Sequence, residues 1–209
     1  MDNQSREELA ELIDGRTVAI VGNAHFLRPK GVGAQIDASD TVLRMNHCEG
    51  VFTEECGSKT TAVVIAPSSE WQRRVRAGRE SIRAVLQAKP KIFLTSVLWA
   101  RKPQACKHIN FYGDSNYALS DIRLLPDSGR ITQPSTTGTR LVCAIADLVA
   151  SGRAKPKSIL VAHFTFGGEW IGYISTEGRH YIAHRDYRPI DEEVIRVNAI
   201  QDCGATIIH

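Results

Sequence analysis

Short apolar runs recur along the chain, separated by stretches in which apolar residues return every three or four positions. The runs at 17–21, 41–45, 61–66, 91–97, 108–112, 158–162 and 205–208 have the length and β-branched content of buried strands. Helical spacing occupies the gaps. Ser5-Arg6-Glu7-Glu8 reads as a capping box, with Leu9, Leu12 and Ile13 forming an apolar stripe that Gly15 ends. The stretch 69–89 sets Trp71, Val75, Ile82, Val85 and Leu86 among charged residues, and 137–151 carries Leu141, Val142, Ile145, Leu148 and Val149. The stretch 189–202 opens with proline, has Asp191, Glu192 and Glu193 in its first turn, and stops before Gly204. Strands alternating with helices predict an α/β fold in one domain spanning 1–209. Its core is a central, mainly parallel sheet of about seven strands flanked by helices. Such sheets bind ligands beyond the carboxyl ends of their strands, at a switch in strand order.

Composition narrows the class without sharpening it. Of 209 residues, 43% are hydrophobic and 23% charged, which excludes a collagen-like, disordered or cysteine-dense secreted chain. Net charge is +3, too small a surplus to point to nucleic acid. No apolar run reaches the roughly 18 residues of a membrane span, and the polar stretch 1–14 does not read as a signal peptide. Five scattered cysteines form no C-x-x-C pair, so the expectation is reduced, packed thiols in a cytoplasmic protein and no metal site.

Candidate chemistry lies at the ends of the apolar runs. Gly22 and Asn23 follow the first, before a loop holding Pro29, Gly31 and Gly33; the glycine permits close backbone approach and the amide can both donate and accept. The spacing is not a dinucleotide fingerprint. Asn46 closes the second run, as a ligand partner or as a turn cap. Arg44 suits an anion or a carboxylate partner. Ser135, Thr136, Thr137 and Gly138 stand at a helix start, which presents free N–H groups to a phosphate or is simply capped. His180 and His184 lie in the polar stretch 179–188. One could serve as a general base, and a spacing of four would put both on one helix face, without a third metal ligand in view.

The order of these pieces is more specific than any one of them. Val18-Ala19-Ile20-Val21-Gly22-Asn23 is followed by Gly31-x-Gly33-x-x-Ile36-Asp37, then Asp40-x-Val42-Leu43-Arg44-Met45-Asn46, then Gly57-Ser58-Lys59-Thr60-Thr61. This succession resembles the large sialylmotif of glycosyltransferase family 29, the sialyltransferases. The stretch 134–166 resembles the small sialylmotif, and His184 ahead of Asp191–Glu193 resembles the last motif. The cysteine with which the family usually links its two larger motifs is absent from Arg16-Thr17-Val18, and His163 stands where the family carries a glycine.

The resemblance implies a single Rossmann-like domain of the GT-A-variant, sialyltransferase-like kind, in a short bacterial-type member. It further implies an inverting, metal-independent transfer without cofactor. A sialic acid or Kdo-like sugar would move from a CMP-activated donor to a glycan or glycolipid hydroxyl. Gly22, Asn23 and Asn46 would hold the CMP, and Ser135, Thr136, Thr137 and Gly138 its phosphate and ribose. His184 would be the base, with His180 assisting the leaving group. Neither nucleic acid nor an integral membrane segment enters this reading. The alternative is a non-catalytic CMP-binding or regulatory module on the same fold.

Overall fold

In a computed structural model the described residues are 3–23, 31–46, 48, 50–66, 79–95, 102–131, 135–164, 172–174, 180–182 and 190–208. Strands β1 (Thr17–Val21), β2 (Thr41–Met45), β3 (Ala62–Ile65), β4 (Lys91–Leu94), β5 (Ile122–Leu124), β6 (Ser158–Ala162) and β9 (Thr206–Ile208) make one seven-stranded sheet in the order β5-β4-β3-β2-β1-β6-β9. Every pairing in it is parallel. Strands β7 (Gly172–Ile174) and β8 (His180–Ile182) form a separate antiparallel pair. Helices α1 (Asn3–Ile13), α2 (Val32–Ala38), α3 (Arg79–Gln87), α4 (Lys102–Gly113), α5 (Thr137–Ala150) and α6 (Ile190–Asp202), with a single 3-10 turn at Leu119–Asp121, complete the described elements.

Both faces of the sheet are buried, as parallel sheets require. Strand alternation sends Val18, Ile20, Leu43, Met45, Val64, Phe93 and Val161 into a core shared with α1, α5 and α6. The intervening residues go to the other face: Val63, Ile65, Ile92 and Leu94 against α3 and α4, and Ala19, Val21, Val42 and Ala162 against α2. The chain steps outward from β1 to β5 and then returns to place β6 on the other side of β1. The switch in strand order therefore falls between β1 and β6.

Six of the seven expected strands are present. The run 108–112 is instead helical, inside α4. Its buried residues Ala105, Cys106, Ile109 and Tyr112 recur at three and four positions, and Pro103 sits at the helix start, so a five-residue apolar run was part of a helical stripe. The strand filling that place, β5, is three residues long at the sheet edge, below the length at which periodicity is legible. Helix α2 occupies what reads as a glycine-bearing loop; its seven residues are held by burial of Val32 and Ile36. Helix α1 starts at Asn3, two residues before the expected cap, with the Asn3 and Gln4 amides donating to Glu7 (2.8 Å) and Glu8 (3.2 Å). The helix expected over 69–89 is described from Arg79.

Candidate active site

The carboxyl ends of β1, β2, β3 and β6 meet the N-terminus of α5 at the switch point. Gly22 leaves β1 with its N–H on the Ala162 carbonyl at 2.9 Å, so β1 and β6 stay paired to their last residues. A β-carbon on Gly22 would stand 2.2 Å from the His163 carbonyl oxygen, and that contact explains the glycine. Asn23 donates from Nδ2 to the Met45 carbonyl at 3.2 Å, leaving its Oδ1 without a donor among the described residues.

Asn46 is both a cap and a bridge. Its backbone is left-handed, with φ 53°, a conformation asparagine tolerates better than most residues. Oδ1 accepts from the Ala66 amide at 3.0 Å, tying the end of β2 to the end of β3. Nδ2 donates to Thr137 Oγ1 at 3.4 Å, across 91 residues of sequence, and so joins the first half of the motif series to the helix of the second.

Helix α5 is capped by Thr136, whose Oγ1 accepts from the Thr139 amide at 3.4 Å. First-turn amides have no partner within a helix, and no group among the described residues accepts from those of Thr137 and Gly138. The Ser135 hydroxyl oxygen is buried with no partner among the described residues. A β-carbon on Gly138 would lie 2.7 Å from Phe164 Cε1 and 3.1 Å from Met45 Sδ, so glycine lets the helix start press close to β2. Unpaired amides, a helix dipole and a spare hydroxyl together make a place for an anion.

The donors of Arg44 are spent on the main chain and a hydroxyl rather than on a ligand, while its charge is felt by the Asp37 carboxylate. Arg44 is fully buried, with Nε donating to the Lys59 carbonyl and Thr60 Oγ1, both at 3.0 Å, and Nη2 to the Cys56 carbonyl at 2.8 Å. Beside it, Asp37 accepts from the Ser58 and Lys59 amides at 2.9 and 2.8 Å. Burial would raise the Asp37 carboxyl, but these amides, the Ser58 hydroxyl and the Arg44 charge together hold it below its ordinary range. Gly33 and Gly57 fit against this knot without room for a side chain. Much of the large motif thus builds the floor of the site. His163, left-handed at φ 58° and buried, sets Nε2 at 3.0 Å from the Glu55 carbonyl and so pins the 50–57 loop to the end of β6.

His184 lies outside the described residues. His180 opens β8, opposite Ile174 across the antiparallel pair, so the two histidines do not share a helix face. A helix was suggested there only by their spacing; the tyrosine and isoleucine that follow His180 favour extended chain. Acidic Asp191, Glu192 and Glu193 lie in the first turn of α6, as the charge pattern predicts. Missed by the sequence reading were the bridging of Asn46 to Thr137, which no local signal encodes, and Arg140, which follows the Thr-Gly-Thr turn and donates from Nε to the Ser135 carbonyl at 3.4 Å. A separate cleft of about 720 Å³ opens at the amino end of β4, lined by Glu8, Lys91, Tyr117 and Arg123 among others. There Glu8 already pairs with Arg123 at 2.6 Å and Lys91 at 3.8 Å, far from the switch point.

Residues 5–122 match the family model for glycosyltransferase family 29 (sialyltransferase). The chain belongs to glycosyltransferase family 29. Among curated proteins, CMP-N-acetylneuraminate-beta-galactosamide-alpha-2,3-sialyltransferase 1 of Mus musculus is 41% identical over 59 residues, covering 28% of this chain and 18% of the mouse protein. The Sus scrofa protein of the same name is 45% identical over 60 residues, covering 28% of this chain and 17% of its own length. The match thus spans a small part of these family 29 relatives. Among solved structures, a mammalian sialyltransferase superposes over 99% of this chain and 78% of its own, with 17% identity and a TM-score of 0.49. A second, in complex with Gal-beta-1-3GalNAc-ortho-nitrophenol, gives 16% identity and a TM-score of 0.45.

Proposed function

We propose that this family 29 chain transfers a sialic acid or Kdo-like sugar from a CMP-activated donor to a glycan hydroxyl, with inversion and without a metal. The observation that carries this reading is the Asn46–Thr137 bridge, which makes one site of the β2 end and the α5 N-terminus. Asn23 Oδ1 and the second hydrogen of Asn46 Nδ2 are left for the nucleoside. The Thr137 and Gly138 amides and the Ser135 hydroxyl take the phosphate.

The reaction is a direct displacement. An acceptor hydroxyl attacks the anomeric carbon of the donor sugar and gives its proton to the His184 imidazole. The carbon–oxygen bond to phosphate breaks, and CMP departs with the electron pair, stabilised by the α5 N-terminus. His180 is a secondary candidate for assisting that departure.

Calorimetric titration with CMP, with UMP and GMP as controls, tests the donor site. Selective CMP binding is expected; equal or absent binding of all three removes the donor assignment. His184→Ala is then expected to abolish transfer from CMP-sialic acid to a galactoside while CMP affinity stays within about twofold of the parent. Transfer surviving in that variant would take His184 out of the mechanism.

A further inference from the structure

His163 and Phe164, the two residues after β6, touch three parts of the candidate site. The His163 carbonyl is what leaves Gly22 no room for a β-carbon, and the Phe164 ring crowds Gly138 at the start of α5 in the same way. The third contact is His163 Nε2, 3.0 Å from the Glu55 carbonyl. A carbonyl only accepts, so Nε2 carries the hydrogen. At 2% exposed, His163 sits inside the protein between the strand end and the 50–57 loop. The chain enters that loop where both candidate asparagines are fixed. Asn46 is the first residue past β2. The Met45 carbonyl accepts both from Asn23 Nδ2 at 3.2 Å and from the Cys48 amide at 3.0 Å, which closes the first turn. Further along, Val51 and Cys56 are buried, but the tip between them, 52–55, contributes no side chain to a hydrophobic core of the described residues. It folds on itself, the Phe52 amide donating to the Gly57 carbonyl at 2.9 Å and the Gly57 amide to the Thr53 carbonyl at 2.8 Å. Of the six non-glycine residues with positive φ among the described residues, four lie here: Asn46, Cys48, Phe52 and His163. Phe52, at φ 70° and 56% exposed, gains little burial to offset that backbone. Strain of this kind persists only where the surroundings impose it, and it gathers beside ligand sites.

We infer that His163 is a positioning residue for the donor nucleoside. Its imidazole holds the 52–55 tip against the end of β6. The tip in turn keeps the 46–57 segment in the arrangement the nucleoside meets, with Asn46 and the Met45 carbonyl that orients Asn23. The strained tip is the part that opens when the imidazole is lost. The ligand half of this inference rests on the donor-site reading above; the hold on the tip is a property of the unliganded chain.

His163→Gly removes the imidazole and suits the left-handed backbone, so it takes away the hold without adding strain. In amide hydrogen exchange of the unliganded chain, the Phe52 and Gly57 amides are expected to exchange about tenfold faster in this variant, with the β1 and β6 amides unchanged. His163→Gln, long enough for its amide to reach the Glu55 carbonyl, should restore most of the protection. In titrations His163→Gly should weaken CMP and cytidine by the same factor, about fivefold, since the nucleoside is common to both. By linkage, saturating CMP should slow exchange of the same two amides in the parent chain. Unchanged exchange in His163→Gly, or a loss of CMP affinity without loss of cytidine, overturns the inference. Should His163→Gly fail to fold, His163→Asn decides by the same two readings, because asparagine tolerates left-handed backbone but is too short to reach Glu55. A parent chain that binds neither ligand fails the donor reading itself, while exchange in the unliganded variants still tests the hold on the tip.

Discussion

Arg44 has the side chain most readily taken for a ligand contact, and the structure buries it completely. Its three donated bonds satisfy carbonyls and a hydroxyl of the 56–60 segment, so truncation would leave buried acceptors open. Arg44→Met is expected to cost about 3 kcal/mol in urea unfolding, with CMP affinity of the folded fraction little changed. A stable variant that has lost CMP binding would return Arg44 to the ligand. Asp37 gives a pH signature to the same knot. Its folded carboxyl is held below the ordinary 3.8, so its contribution is complete above that value. It is lost as pH falls toward the depressed folded value. Asp40, whose carboxyl is likewise lowered by the Thr17 amide and hydroxyl, adds to the same trend. Asp37→Asn is expected to flatten the fall in stability below pH 4, read from urea midpoints between about pH 6 and 3. An unchanged slope would leave the trend to Asp40 and other carboxylates.

At the scale of elements, the two close approaches at the switch point differ in kind. The β-carbon of Gly22→Ala would strike the His163 main chain, at 2.2 Å from O and 2.9 Å from C, which cannot yield without parting β1 from β6. That of Gly138→Ala meets the ends of the Phe164 and Met45 side chains, which can turn aside. Gly22→Ala is therefore expected to destabilise by about 2–3 kcal/mol, and Gly138→Ala by about 1 kcal/mol or less, alanine's helix propensity offsetting part of the crowding. Equal losses in thermal melts would mean that β6 shifts as easily as a side chain. The same comparison marks what the sequence makes legible. Strands β1, β2 and β6 were readable to the residue because a strand buried on both faces is a continuous apolar run with a polar stop. Helix α2 and strand β5 were not, being too short for a period and formed only because the sheet covers them. Asn23, Asn46 and the Thr-Gly turn were readable as candidates. That Asn46 reaches Thr137 is set by the return of the chain to β6, and a local pattern carries no trace of it.

At the scale of the molecule, strand β3 lies between the two larger cores of the described residues. Ala62 and Val64 of β3 face one and Val63 and Ile65 the other, so neither layer of helices can leave without exposing strands the other layer needs. The five cysteines are all buried and outside any disulfide, and four of them sample this arrangement. Cys143 and Cys203 lie in the core under α1, α5 and α6, and Cys48 and Cys106 in the core under α3 and α4. Burial pushes the Cys48 thiol up to about 12, against the opposing pull of the Arg44 charge, and it raises Cys203 as well. Thiolate reagents at pH 8 should therefore label the folded chain slowly. Through a urea titration Cys106 and Cys143 are expected to become reactive at one common midpoint, because losing either face opens the sheet to water. Cys203, just past the last turn of α6 and beside the short edge strand β9, is expected to react first by local fraying. Peptide mapping of the modified chain separates the five sites. Distinct midpoints for Cys106 and Cys143 would show that the helical layers unfold independently, and the switch point, assembled from both, would then lose CMP binding at the lower of the two.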